Sequence, residues 1–318
     1  MSRPRPDWTP PARDGVSASR LALQAGPWAT VCEFLTARLR PGIAWAERMA
    51  QGDVLDANGR PLPASAPCVP GQVVWYWRSL PPEPRVPFEL ELLHQDAHLV
   101  VVDKPHFLAS IPGGRYLQET ALVRLKRLLG NEDLVPLHRL DRETAGLLLF
   151  SADPDTRNAY HALMRERRVH KVYEAVAPCR ADLAFPLQAS HRLRNPPQGR
   201  HLPVQVEPAA PGDANAHTQI ELLQRLGSGD LAHYRLLPHT GHRHQLRAQM
   251  NALGLPIIGD RIYPRLWPEP ADDAPPDYSQ PLQLLARELV FEDPVSGEVR
   301  RFVSTRQLAL AAGSAAPT

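Results

Sequence analysis

Apolar positions recur at helical spacing in a few stretches and form short strand-like runs over much of the remaining chain. In residues 28–39, Val31, Phe34, Leu35 and Leu39 fall on one helix face. Residues 43–51 read as a second short helix, with Gly52 just past its end. The runs VLDANGRPL (54–62) and GQVVWYWRS (71–79) read as two short strands, and Asn58-Gly59 is a strong hairpin-turn signal. Residues 28–80 are therefore expected to form a small helix–helix–hairpin unit. Residues 1–27 are Pro-rich without a sustained period and are expected to be a flexible arm. Residues 81–87 read as an extended linker.

A larger unit is expected over residues 88–308. HLVVVDKP (98–105) is an apolar strand closed by Lys-Pro, and GLLLFS (146–151) is another. Between them, residues 118–129 place Ala121, Leu122, Leu125, Leu128 and Leu129 on one helix face. Asp153-Pro154 opens a helix that runs to about Arg168, with an N-cap acid ahead of Pro at the first helical position. Strands follow at KVYEAVA (171–177), Leu202–Val206, His217–Leu223 and Leu231–Leu237, then a helix over 243–253 that stops at Gly254. Residues 286–303 read as a hairpin around Pro294–Gly297. Strands outnumber helices and several are joined by short turns. The predicted class is α+β, a mixed, largely antiparallel sheet with flanking helices. The tail, 309–318, is expected to fray.

Composition narrows the class. With 318 residues, 43% hydrophobic and 22% charged, the chain is of ordinary globular make-up. The longest apolar runs are strand-length, well short of the ~18 residues of a membrane span, and the polar, Pro-rich start lacks an apolar secretory core. Three widely spaced cysteines, Cys32, Cys68 and Cys179, argue for reduced thiols and a cytoplasmic protein. Proline, at 35 copies, clusters at 4–11, 61–87 and 264–281, where it marks loops and linkers. The formal charge is only +2, but arginines cluster at 157–173, at 190–201 (Arg192, Arg194, Arg200) and at 235–265. Such clusters are what a phosphate-binding surface requires. They also fit a composition bias, because Arg so outnumbers Lys.

Two segments carry candidate chemistry. In LHRLDRETAGLLLF (137–150), Asp141 stands between Arg139 and Arg142, just before a glycine and an apolar strand. Nearby positive charge keeps such a carboxylate ionised, which suits a nucleophile or general base; a loop salt bridge would look the same. In PHTGHRHQLRAQM (238–250), Arg243 and Arg247 are four apart and share a helix face. His239, His242 and His244 lack an HExxH pattern, a Cys partner or an intervening acid, so polar or phosphate contact is expected and a metal is not.

HRLDRETAGLLLF closely resembles the signature of the RluA-type pseudouridine synthases, in which His-Arg-Leu-Asp precedes a small-residue turn and an apolar strand. Five further segments follow in that family's order: LVVVDKP (99–105), KVYEAV (171–176), HTGHRHQLR (239–247), PIIGDRIYP (256–264) and PLQLLARELVFEDPVSG (281–297). The resemblance covers roughly residues 88–305. Departures are Ala145 for the usual serine, His242 for the usual arginine, Arg243 where threonine is common, and Leu285 for a typical histidine. They bear on substrate contacts rather than on the expected nucleophile.

The resemblance implies isomerisation of uridine to pseudouridine in ribosomal or transfer RNA, with no cofactor or metal. The family's essential aspartate maps to Asp141, which would attack ribose or remove a proton. Arg247 maps to its paired arginine, Arg139 to the arginine that enters the RNA stack where the uridine leaves, and Tyr173 to the tyrosine against uracil, whose hydroxyl would serve in the later proton removal at C5. His138, Leu140, Arg142, Arg243, His244 and Leu246 fall in the same motifs and are expected at the substrate, the two leucines as pocket walls or core. Lys104 is a phosphate contact or a turn cap. Glu143 has no assigned role. The 28–80 unit is similar to a degenerate alpha-L RNA-binding domain, though residues 41–59 contain Arg48 as their only basic residue. RNA is the expected partner, with a monomer as default. The competing readings are a non-catalytic RNA-binding protein that keeps the fold, and a hydrolase using Asp141 with a second carboxylate.

Overall fold

In the computed structural model, residues 8–39, 41–78, 83–196, 202–207, 212–268 and 274–312 are described. The outer ends of the expected arm and tail, part of the linker, Arg200 and part of the Pro-rich insert lie outside them. The chain divides into two compact units. One holds residues 1–83 with 112–118 and 126–132; the other holds 84–111, 119–125 and 133–318.

The smaller unit contains β1 (Ser19–Ala22), α1 (Val31–Arg38), α2 (Trp45–Ala50), β2 (Val54–Leu55) and β3 (Val73–Tyr76). Thr30 caps α1 by accepting the Glu33 N–H, and Gly52 closes α2 with a positive φ. The strand order is β1–β3–β2, so Ser19–Ala22 lie in a sheet where the sequence suggested an arm. Their alternating half-buried and exposed positions are a strand signal too short to read beside so many prolines. Phe34, Leu35, Trp45, Met49, Val54 and Val74 make the core. Arg48 is tied inward, to the Asp53 carboxylate at 3.1 Å and the Trp77 carbonyl at 2.7 Å.

The larger unit is built on an eleven-stranded sheet. Its strands are β4 (Glu91–Gln95), β5 (Leu99–Lys104), β6 (Val135–Pro136), β7 (Ala145–Ser151), β8 (His170–Pro178), β9 (Leu187–Arg194), β10 (Gln205–Glu207), β11 (Ala216–Leu226), β12 (Leu231–Pro238), β13 (Leu284–Glu292) and β14 (Val299–Val303). Its helices are α4 (Arg157–Arg165), α5 (Gln245–Ala252) and α6 (Ala309–Ala312), together with the first part of α3 (Ala121–Leu129), whose residues from 126 on belong to the smaller unit. The order along the sheet is β10–β9–β11–β12–β8–β13–β7–β5–β4, with β14 on β13 and β6 on β7. Among the described residues all these strand pairings are antiparallel except β13 with β7.

The fully buried runs of β5 and β7 are central strands, covered on both faces. Helix α4 starts at Arg157, later than Asp153-Pro154 suggests. Asp153 forms an Asx turn instead, accepting the Asp155 N–H at 2.9 Å. Leu128, expected on the buried face of α3, is exposed. Residues 309–312, expected as frayed tail, form α6. Among the described residues no helix is long and apolar enough to cross a membrane.

The strand registers set one row across the sheet. Leu236 of β12 pairs with Tyr173 of β8, Tyr173 with Ala286 of β13, Ala286 with Gly146 of β7, and Gly146 with Lys104 of β5. Gly146 takes φ +109°, and a Cβ there would stand 2.3 Å from the Ala286 carbonyl oxygen. Only glycine admits both the conformation and the approach. The turn that carries Asp141 is thereby brought beside β13 and β8.

Candidate active site

Asp141 lies on the turn between β6 and β7, and Arg247 lies on α5, 106 residues later. Arg247 Nη1 donates to Asp141 Oδ2 at 3.0 Å. The other edge of the guanidinium grips Asp260: Nε donates to Oδ2 and Nη2 to Oδ1, each at 2.7 Å. Both Arg247 and Asp260 are buried, whereas the Asp141 side chain is 28% exposed. A planar fork that binds one carboxylate at two points is fixed in orientation, so its remaining N–H has one direction in which to hold Asp141.

Two short motifs build this arrangement. Gly259, at φ +78°, turns the chain tightly beside Pro281, and Asp260 accepts the N–H groups of Ile262 at 2.8 Å and Tyr263 at 3.1 Å. Helix α5 is knitted to the sheet by two buried glutamines. Gln245 accepts from Thr240 Oγ1 and donates to the His217 carbonyl; Gln249 donates to the Ala189 and Ala216 carbonyls. A helix anchored by amide side chains at both turns holds Arg247 against rotation.

Burial acts to raise the Asp141 carboxyl, but His244, Arg247 and Lys104 outweigh it and hold the group below the ordinary carboxylate range. His244 Nε2 is 3.9 Å from Asp141 Oδ2. Burial pulls that imidazole down to about 4, so it is neutral at pH 7 and the fixed charge beside Asp141 is that of Arg247. For Arg247 itself, burial opposes the charge, and Asp260 and Asp141 more than restore it. Arg139 and Arg142, the neighbours in sequence, are not among the largest influences on Asp141. Arg139 is exposed and makes no hydrogen bond or ion pair with the described residues, while Arg142 pairs with Glu143.

Tyr173 packs beside the core that contains Leu246. Burial and the charge of Asp141 push its phenol up, so it keeps its proton at neutral pH. Leu140 and Leu246 are both buried apolar groups.

Three expected substrate residues have other work. Lys104 is fully buried and donates to the carbonyls of Pro105 (3.0 Å), Leu108 (2.8 Å) and Arg142 (3.2 Å). In the structure it caps the turn, and burial brings its ammonium down to about 7. His138, pulled down to about 3 by burial and Lys171, accepts the Leu149 N–H at 3.3 Å and staples its loop to β7. Arg243 binds Asn195 Oδ1 at 3.0 Å and the Leu202 carbonyl at 2.8 Å, at the two ends of the β9–β10 connection. The neighbouring histidines do not gather a ligand set. His242 bonds the Asn215 carbonyl, and among the described residues no group of three His, Cys, Asp or Glu side chains is placed to hold a metal.

The segment PIIGDRIYP by itself gives Asp260 no role. It lies 13 residues from Arg247, beyond helical reach, so only the fold joins them. His106 and Ser110, which bond the Asp141 turn, carried no motif at all.

Comparison with known proteins adds to this geometry. Residues 98–252 match the family described as RNA pseudouridylate synthase. An uncharacterized RNA pseudouridine synthase of Synechocystis sp. is 34% identical over 222 residues, which are 69% of this chain and 74% of that one. The dual-specificity RNA pseudouridine synthase RluA of Pasteurella multocida is 32% identical over 218 residues, 66% of this chain and 90% of its own. Human RNA pseudouridylate synthase domain containing 1 shares the fold, with a TM-score of 0.54 at 23% identity over 70% of this chain and 86% of that one.

Proposed function

As a member of the RluA-type RNA pseudouridine synthases, this chain isomerises uridine to pseudouridine in RNA, and we propose that it does so through Asp141 acting on a uridine turned out of the RNA stack. The observation that carries the assignment is a partly exposed carboxylate held at 3.0 Å by a buried arginine, itself fixed by Asp260. That arrangement keeps the acid ionised and aimed.

The N1–C1′ bond of uridine breaks, the uracil turns, and a C5–C1′ bond forms; the proton leaves C5 and N1 gains one. Product and substrate are isomers, so no co-reactant enters the balance. Asp141 attacks C1′ or removes a proton, and both roles need the carboxylate. Tyr173 supports the uracil by its ring face; a phenol that keeps its proton is a poor base in the resting site. Arg139 fills the gap left in the stack, a role that suits an exposed guanidinium without partners among the described residues. His244, neutral, lines the approach to Asp141, and Leu140 and Leu246 wall it. Ribosomal or transfer RNA is the substrate class. A monomer is the default state for this reading, and an RNA substrate supports a cytoplasmic site of action.

Asp141→Asn tests the assignment. Conversion of RNA should stop while RNA affinity stays within about twofold, because the amide keeps the shape and loses the charge. A variant that still converts uridine at a substantial rate would remove Asp141 from the chemistry.

A further inference from the structure

The Asp141 turn is held at every carbonyl from residue 140 to residue 143. The Leu140 carbonyl accepts from Ser110 Oγ at 2.7 Å, and the same hydroxyl accepts the Leu140 N–H at 3.1 Å. The Asp141 carbonyl accepts the Thr144 N–H at 3.1 Å, closing the turn on itself. The Arg142 carbonyl accepts from Lys104 Nζ at 3.2 Å, and the Glu143 carbonyl from His106 Nδ1 at 2.7 Å. Three of the four bonds therefore come from one stretch, residues 104–110, that begins at the last residue of β5.

That stretch is anchored in turn. The Ala109 carbonyl accepts from the Ala121 N–H at 2.7 Å and the Ser110 carbonyl from the Leu122 N–H at 3.1 Å, at the start of α3. Phe107 is buried and lies 5.2 Å from Tyr278 and 6.2 Å from Phe88, ring centre to ring centre. A carbonyl only accepts, so Nδ1 of His106 carries its hydrogen; burial keeps the ring neutral, near 4. The donors of Lys104, His106 and Ser110 all go to backbone carbonyls. Each is occupied by the backbone on either side of Asp141.

We propose that His106 and Ser110 are positioning residues for the isomerisation: they clamp the Asp141 turn from its Glu143 and Leu140 sides, so that the carboxylate meets both Arg247 and the substrate in one geometry. This rests on the reading that Asp141 is the reacting carboxylate. A displacement of about 1 Å in a reacting group costs about 10²-fold in rate. The clamp acts on that distance and not on RNA binding.

The test is single-turnover conversion with enzyme in excess, on bulk RNA extracted from cells lacking the protein. His106→Ala and Ser110→Ala should lower the limiting rate about 10- to 100-fold and leave the half-saturating enzyme concentration within about twofold. The acid limb of the limiting rate should move to higher pH in both, as Asp141 drifts from Arg247; a residue needed only for folding would not move it. His106→Asn places an amide N–H where Nδ1–H stood and should stay within about threefold of the parent. His106→Gln, which reaches instead to the Nε2 position, should resemble His106→Ala. Folded alanine variants with parental limiting rates would overturn the proposal, as would His106→Asn as slow as His106→Ala. If Ser110→Ala does not fold, the His106 series decides. Asp141→Asn in the same assay separates the two readings. If it is inactive while His106→Ala is fully active, only the clamp fails; if it is active, the assignment of Asp141 fails first.

Discussion

At the scale of single residues the site is an ordered row of charges, Asp141–Arg247–Asp260, in which each member constrains the next. Arg247→Lys keeps the charge but not the fork, and one ammonium cannot hold Asp260 at two points and Asp141 at a third. The expected result is a fall of at least about 10²-fold in kcat, read from rates at saturating RNA. Asp260→Asn leaves Arg247 buried against a neutral amide. It should cost about 3 kcal/mol of stability, measured by urea unfolding, together with a loss of rate. The pH dependence follows from Asp141. Its carboxyl is held below the ordinary value near 3.8, so its favourable contribution to folding is complete above that value and is lost only as pH falls beneath it. No acid limb assignable to Asp141 should appear in kcat between pH 5 and 7; a limb centred in that range would contradict the charge arrangement. The pairing of Asp141 with Arg247 is legible only through the family resemblance, because by residue type alone a loop salt bridge, a solvated helix face and a core tyrosine fit Asp141, Arg247 and Tyr173 as well. Lys104 and His138 lie in the resembling motifs yet face backbone, and a letter in a motif does not say which way a side chain points.

At the scale of elements, the site depends on one close approach. Gly146 lets β7 start against Ala286 of β13, the single parallel pairing in the sheet among the described residues. Gly146→Ala would force a positive φ on a residue with a Cβ and push that Cβ into the Ala286 backbone. We expect destabilisation of about 3 kcal/mol or more by urea unfolding, with a surviving folded fraction of low activity; a loss under 1 kcal/mol would mean the strands can part cheaply. The apolar runs of β5 and β7 and the Gly254 stop of α5 are readable, because burial on both faces and a left-handed cap leave plain signals. Strands β4 and β9 are not. Strand β9 runs into the arginine cluster read over residues 190–201, and its buried positions, Ala189 and Leu193, are four apart with polar residues between them. A strand with so few apolar positions is recognised by its neighbours rather than by itself.

At the scale of the whole molecule, the sequence suggested a small amino-terminal domain that ends near residue 80. The smaller unit also holds residues 112–118 and 126–132. Within it Glu83 accepts the N–H groups of Leu117 at 2.8 Å and Gln118 at 2.9 Å. No local pattern could reveal that these distant stretches belong together. Deleting residues 1–83 should expose Leu117 and orphan both amides, lowering the melting temperature by several degrees, which differential scanning calorimetry would detect. The same deletion addresses RNA binding by this unit. Arg48 is occupied by Asp53 and the Trp77 carbonyl, so we expect RNA affinity of the folded remainder to change less than about threefold; a larger loss would give the unit a binding role. For the enzyme as a whole, the deciding measurement is a map of pseudouridines in RNA from cells that lack the protein, restored with either the parent chain or Asp141→Asn. The account predicts that the parent restores one or more specific sites and the Asn variant restores none, although it is folded and present in equal amount. Restoration of those sites by the Asn variant would contradict it.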